Sequence, residues 1–252
     1  MRYLVLSDIH ANLEALDAVL GAAGAYDAVL VLGDLVGYGA DPNAVIERIR
    51  GLRVAAIVRG NHDKAAAGLD PADDFNDVAR EAVVWTAAAL SAENHTWLAA
   101  LPRGPRPVDD SIEICHGTPF DEDAYVFEYG DALGAITAAE RPLCLYGHTH
   151  VPAAFRMSAH AGAGASLSLE YVGSSTDGLC TLAMDPQSRY LVNCGAVGQP
   201  RDGNPDAAYG IVDAPAGSVA LRRVPYDVAL AQAKIRAAGL PPVLAQRLAV
   251  GR

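Results

Sequence analysis

The first sixty residues alternate strand and helix, and that alternation constrains the fold more than any other feature of the chain. Residues 2–6 form an apolar, β-branched run, and residues 12–23 then carry Leu13, Leu16, Val19 and Leu20 at helical spacing. A second apolar run covers 28–32. Asp41-Pro42 supplies N-cap and N1 residues for a helix reaching about Arg50, and a third run covers 54–58. The order β-α-β-α-β predicts parallel strands joined by right-handed crossovers. In such sheets ligands bind beyond the carboxyl ends of the strands.

What stands at those ends is chemically selective. Five apolar runs finish in Ser7-Asp8-Ile9-His10, Gly33-Asp34, Gly60-Asn61-His62-Asp63, Cys115-His116-Gly117 and Gly147-His148-Thr149-His150. Two carboxylates, one amide and four imidazoles are enough donors for two divalent ions, with His62 left over. Asp8, Asp34 and Asn61 are spaced by 26 and 27 residues, about one β-α unit each, so the fold sets them side by side. Asp8 and His10 lie two apart on one turn and can face one ion. Asp34 follows Gly33, where the backbone comes close, and a carboxylate there can bridge two. An oxygen and nitrogen donor set without thiolate suits Mn²⁺, Fe or Zn²⁺ better than Ca²⁺ and argues against a purely structural zinc. Each motif alone is common in turns. In order, however, they hold five of the seven histidines, leaving His95 as a helix-surface residue and His160 as a loop residue. The reaction this pattern predicts is hydrolysis of a phosphate ester by a metal-bound hydroxide.

The rest of the chain sets the surroundings. Residues 70–101 read as a helical insert, with Val78, Ala82 and Trp85 on one face, ended by Pro102, Pro105 and Pro107. Strands are expected again at 111–115 and 142–146, with a short helix at 131–139 between them. Beyond Val151, short strands at 167–172, 179–184, 190–192, 209–212 and 219–224 suggest a second, largely antiparallel sheet packed on the first. Residues 159–165 read as a flexible loop, and 226–250 as a helical tail broken near Gly239-Leu240-Pro241-Pro242. No repeat or linker interrupts residues 1–252, so a single domain is expected. The net charge of −11 repels nucleic acid and anionic membrane over most of the surface. No apolar run has the length of a membrane span, and the first residues lack a signal-peptide pattern, so the cytoplasm is the expected compartment. Cys115, Cys144, Cys180 and Cys194 lack metal-site spacing and read as reduced thiols, Cys115 and Cys144 in the core.

The ordered set D-x-H, G-D, G-N-H-D, H-G and G-H-T-H resembles the calcineurin-like metallophosphoesterase superfamily. The strings SDIHANLEAL, LGDLVGYG, RGNHD, CHGTP, GHTHVP and GAVGQPRDG are similar to its small bacterial branch, over residues 1 to about 224. The resemblance implies a four-layer α-β-β-α sandwich of two mixed sheets flanked by helices, with two metal ions. Carried over by motif, Asp8, His10 and His150 would hold one ion, Asn61, His116 and His148 the other, and Asp34 would bridge them. A hydroxide shared by the ions would attack phosphorus, and His62 would protonate the leaving group. Two departures stand out. Gly37-Tyr38-Gly39 replaces the Asp-Arg-Gly of protein serine/threonine phosphatases, which argues against phosphoprotein substrates. Asn193-Cys194-Gly195-Ala196 replaces the Asn-Pro-Gly-Ser frequent in relatives.

Further positions carry paired readings. Asn12 reaches a phosphate or caps the first helix. Arg201 contacts substrate phosphate or pairs with Asp202. Asp63 orients His62 or caps a helix, and Tyr38 leans over the site or belongs to an ordinary turn. Tyr125, Phe127 and Tyr129 stack on a base or pack. The expected substrate is a small phosphate mono- or diester, possibly a nucleotide. A nuclease is disfavoured by the acidic surface and by the presence of only two lysines, and a non-catalytic scaffold by the intact set of donors.

Overall fold

The structure is a computed structural model that describes residues 1–160, 166–173 and 179–252. In chain order its elements are β1 (Arg2–Leu6), α1 (Leu13–Ala22), β2 (Ala28–Val31), α2 (Pro42–Arg50), β3 (Val54–Ile57), α3 (Asn61–Ala66), α4 (Asp77–Ala89) and α5 (Ala92–Ala99). There follow β4 (Arg106–Pro107), β5 (Ile112–Ile114), α6 (Tyr129–Ala138), β6 (Leu143–Tyr146), β7 (Ala153–His160) and β8 (Ser166–Gly173). The last are β9 (Leu179–Ala183), β10 (Ser188–Asn193), β11 (Ala207–Asp213), β12 (Ser218–Val224), α7 (Val228–Ala237) and α8 (Pro242–Leu248). They form two mixed sheets, β3-β2-β1-β11-β12-β9 and β4-β5-β6-β10-β7-β8.

Alternation along β1 shows how the layers are made. Tyr3 and Val5 point between the sheets, where they join Leu30, Leu32, Ile112, Ile114, Leu145 and Val192. Leu4 and Leu6 point the other way, onto Leu16 and Val19 of α1 and Val45, Ile46 and Ile49 of α2. On the outer face of the second sheet, Cys144, Tyr146 and Leu191 pack against Ala132, Ala135 and Ile136 of α6. The result is the expected α-β-β-α sandwich.

The allocation of strands differs from the sequence reading. The C-terminal strands do not make a sheet of their own. β11 pairs antiparallel with β1 and carries β12 and β9 into the first sheet, while β5 and β6 pair in parallel and β6 joins β10 in the second. Periodicity reports which face of a strand is buried but not which edge it pairs with, and β11 is buried on both faces. β7 was not anticipated because Ala153–His160 is rich in Ala and Ser and poor in β-branched residues. Its pairing with β10 and β8 makes it a strand, so His160 ends a strand rather than lying in a loop. The remainder of the anticipated loop, 161–165, lies outside the described residues. The insert resolves into α4 and α5 and begins at Asp77, after the unanticipated short α3. The tail divides into α7 and α8 around Gly239 as expected. No helix among the described residues is long and apolar enough to cross a membrane.

Candidate metal centre

Parallel register gathers the motifs. Leu6 pairs with Val31 and Val31 with Ile57, so the loops carrying Asp8, Asp34 and Asn61 leave neighbouring strand ends in step. Ile114 pairs with Leu145 in the second sheet, which places His116 beside His148. The two strand-end rows are joined by short polar links. His116 reaches the Leu32 carbonyl at 2.8 Å, and the His148 N–H donates to the Asp8 carboxylate at 3.2 Å. The seven donor residues are buried, apart from a half-buried Asn61.

The backbone is strained to aim them. Asp8, His10, Asp34, His148 and His150 all have positive φ, between 48° and 67°. Left-handed backbone costs a residue with a side chain about 1–2 kcal/mol, and such strain persists where the surroundings enforce it. Gly60 is needed for the same close fit, since a Cβ there would overlap the Asp34 carboxylate.

The donor atoms form two groups that share Asp34: Asp8, His10, Asp34 and His150, and Asp34, His116 and His148. Whether they suit a metal is decided by the protons. A backbone carbonyl only accepts, so the ring nitrogen facing it must carry the hydrogen. His10 gives its Nδ1–H to Val36 (3.1 Å), and His150 its Nδ1–H to Gln199 (2.6 Å). Both Nε2 lone pairs then point inward, 3.1 Å apart. His116 donates to Leu32 through Nδ1 and turns its Nε2 to the Asn61 Oδ1 at 3.2 Å and the Asp34 Oδ2 at 3.5 Å. His148 is reversed: its Nε2–H goes to the Asp123 carbonyl at 3.1 Å, freeing Nδ1. Lone pairs converge on lone pairs, an arrangement that a cation satisfies. Carbonyl-anchored imidazoles are also how proteins fix metal-ligating histidines.

Electrostatics agree with that reading. Burial holds His10 and His150 well below the usual imidazole range and His148 down to about 3, so these rings are neutral donors. Burial lifts Asp8 to about 6. His116 goes the other way: burial disfavours its charge, but the Asp34 and Asp8 carboxylates outweigh it and raise the ring to about 10. A proton on His116 is what balances the buried acids when nothing else does, and a divalent ion replaces it. No thiolate competes, because the Cys115 Sγ turns away towards the Cys144 Sγ at 3.7 Å, inside the α6 layer.

Residues 1–217 match the family description "Calcineurin-like phosphoesterase superfamily domain". The chain belongs to the calcineurin-like phosphoesterase superfamily. An uncharacterised protein of Methanocaldococcus jannaschii is 34% identical across 98% of this chain and 97% of its own length. A crystal structure of a metallophosphoesterase from Sphaerobacter thermophilus superposes with a TM-score of 0.84 at 40% identity, covering 100% of this chain and 99% of that one. A hypothetical protein from Pyrococcus horikoshii shares the fold, with a TM-score of 0.75 at 21% identity over 100% of this chain and 98% of its own. Members of this superfamily are metal-dependent phosphoesterases, and the buried Asp/His cluster of this chain fits divalent metal binding.

The remaining anticipated positions sort as follows. The His62 ring sits against Tyr38 (centroids 4.3 Å apart), Phe75 (4.7 Å) and His10 (4.9 Å), and its backbone N–H donates to Asp34. Its Nδ1 has no partner and faces Gly37, where a Cβ would come within 2.5 Å. Asp63 does not touch His62. Its carboxylate caps α3 through the Gly60 N–H and holds the Leu35 and Val36 N–H groups. Asn12 caps α1 through the Ala15 N–H and gives its amide to the Gly198 carbonyl. Arg201 does not pair with Asp202, which is taken by Arg223; it reaches the Tyr38 hydroxyl and the Gln199 Oε1. Tyr125 stacks on the His148 ring at 3.8 Å, and Phe127 stacks on Tyr125.

Most of the rim comes from the segments expected to shape the pocket, the 70–101 insert and the loop around 120–130. A pocket of about 180 Å³ at the metal centre is walled by Phe75 and Asn76 from the approach to α4, by Lys64 of α3, and by Asp123 and Tyr125. Of these, sequence reading singled out Tyr125 but not Lys64, Phe75, Asn76 or Asp123, which belong to no spaced pattern; the N-cap sequence Asn76-Asp77 marks a helix start but not what it faces.

Proposed function

We propose that this chain is a dinuclear metal-dependent hydrolase of small phosphate mono- or diesters, nucleotides included. The observation that carries the reading is the convergence of metal-ligating donor atoms from both sheets on one shared carboxylate, Asp34. In this reading Asp8, His10 and His150 would hold one ion and Asn61, His116 and His148 the other, with Asp34 a member of both donor groups. Manganese suits the mixed oxygen and nitrogen donors, and iron or zinc would also be accepted. When bound, two such ions lower the pKa of a water molecule and offset the charge of the phosphoryl oxygens.

The chain's own residues supply the rest. Carbonyl-anchored His10, His148 and His150 keep their lone pairs aimed without a proton to displace, while His116 would give up its proton to the ion. His62 lines the pocket beside Asn61 and is the general acid for the leaving oxygen. Burial lowers it to about 4, although the Asp34 carboxylate pulls the other way. Tyr38 and Phe75 clamp the ring from two sides. Arg201 stands over Tyr38, 5.8 Å from the ring centroid, and contacts substrate phosphate. Residues 1–252 act as one domain, since α7 and α8 pack on Tyr38 beside the site. The acidic surface and the narrow pocket favour small substrates over nucleic acid.

The test is an activity panel on metal-stripped protein with Mn²⁺ restored, using an aryl monoester, an aryl diester, cyclic nucleotides and dinucleoside polyphosphates. Metal-dependent turnover of at least one is expected. No turnover on any would favour a non-catalytic scaffold.

A further inference from the structure

The pocket at the metal centre does not end at its own walls. Tyr38, Asn76 and Tyr125 line both that pocket and a wider open groove of about 770 Å³, a size suited to the non-reacting part of a small substrate. Three guanidinium groups line this groove: Arg201 after β10, Arg247 of α8, and Arg252 beyond it.

Their shared position sets them apart. In a chain of net charge −11, these three guanidinium groups line one groove beside the metal centre, and no carboxylate side chain lines it with them. Arg201 turns its donors to the Tyr38 hydroxyl, the Gln199 Oε1 and Tyr125, none of them a charged acceptor. Guanidinium groups gathered on one groove draw an anion into it. The adjoining metal-centre pocket carries the other sign on its lining: Asp70, Asp74 and Asp123, with Lys64 bound to Asp70 and Asp123. A second anionic group is therefore repelled from the α3 side and drawn to the α8 side. Guanidinium groups match phosphate oxygens in geometry as well as charge.

We infer that the substrate carries a second phosphate, seated on Arg247 and Arg252 at the α8 side of the groove while Arg201 lies between it and the reacting phosphate. This rests on the phosphoesterase reading and narrows it to substrates such as nucleoside bisphosphates.

The experiment compares kcat/KM of the Mn²⁺-loaded protein for adenosine 5′-monophosphate and adenosine 3′,5′-bisphosphate, and for glycerol phosphate and 3-phosphoglycerate, which adds a carboxylate instead. The bisphosphate is expected to exceed its monophosphate at least about ten-fold, less at high salt. In the R247A/R252A protein that advantage is expected to fall to about two-fold or less. The same advantage for both pairs, or for the carboxylate pair alone, would overturn the assignment to phosphate. An equal loss for mono- and bisphosphate would overturn the groove's role. Calorimetric binding of the two adenosine compounds to the same proteins gives an independent reading. If nothing is turned over but Arg247 and Arg252 still favour the bisphosphate, the catalytic reading fails and the second anion site stands.

Discussion

The floor of the site and its rim are built by different physics. The floor is made of strand-end residues that are buried, strained and mostly uncharged, its imidazoles fixed by carbonyls of the loops that follow neighbouring strands and, for His148, by that of Asp123. The rim comes from α3, the approach to α4, α8 and the 123–127 loop, and it is partly exposed and charged on both sides. The floor tolerates little displacement because its donors share atoms with the packing of two sheets. The rim can change residues without moving a strand. A chemistry held by the floor and a substrate chosen at the rim is what that contrast teaches.

Four substitutions test it, in descending order of effect. His62→Ala removes the floor's one reactive side chain that is not a proposed ligand. It should lower turnover by about 10²–10⁴-fold for poor leaving groups and least for those of low pKa, with metal content retained. Equal losses across leaving groups would remove His62 from the general-acid role. Gly60→Ala adds one carbon against Asp34 and should weaken metal affinity by about 10–100-fold, read by titration with a metal indicator. Unchanged affinity would mean that the floor is softer than its packing implies.

Phe75→Ala tests the boundary between the regions. This rim residue holds the His62 ring, so kcat should fall several-fold with metal affinity unchanged. A loss of metal instead would merge rim and floor into one unit. Asp41→Asn is the smallest. It leaves Lys234 of α7 paired with Glu14 alone, and should reduce stability by at most about 1 kcal/mol in a thermal melt without altering metal binding.

The same contrast explains what the sequence disclosed. Asp8, Asp34 and Asn61 were legible because parallel β-α units repeat at a fixed spacing and always deliver their ends to one edge. The helix starts at Asn12 and Asp41 were legible for equally local reasons, although the Asp41 carboxylate turned to Lys234 instead of capping α2. The sheet assignment of β9, β11 and β12 was not, since strand pairing is a long-range choice that periodicity does not encode. Nor were Phe75, Arg247 and Arg252, whose positions depend on how α4 and α8 dock. The Arg201–Asp202 pairing failed for the same reason: a residue 21 positions away, Arg223, takes the carboxylate.

The central claim is that two triads of donors share Asp34. Metal analysis with electron paramagnetic resonance on Mn²⁺-loaded protein tests it most directly. Two ions per chain with an exchange-coupled signal are predicted, falling to about one uncoupled ion in His148→Ala. One ion in the unaltered protein, or two without coupling, would contradict it.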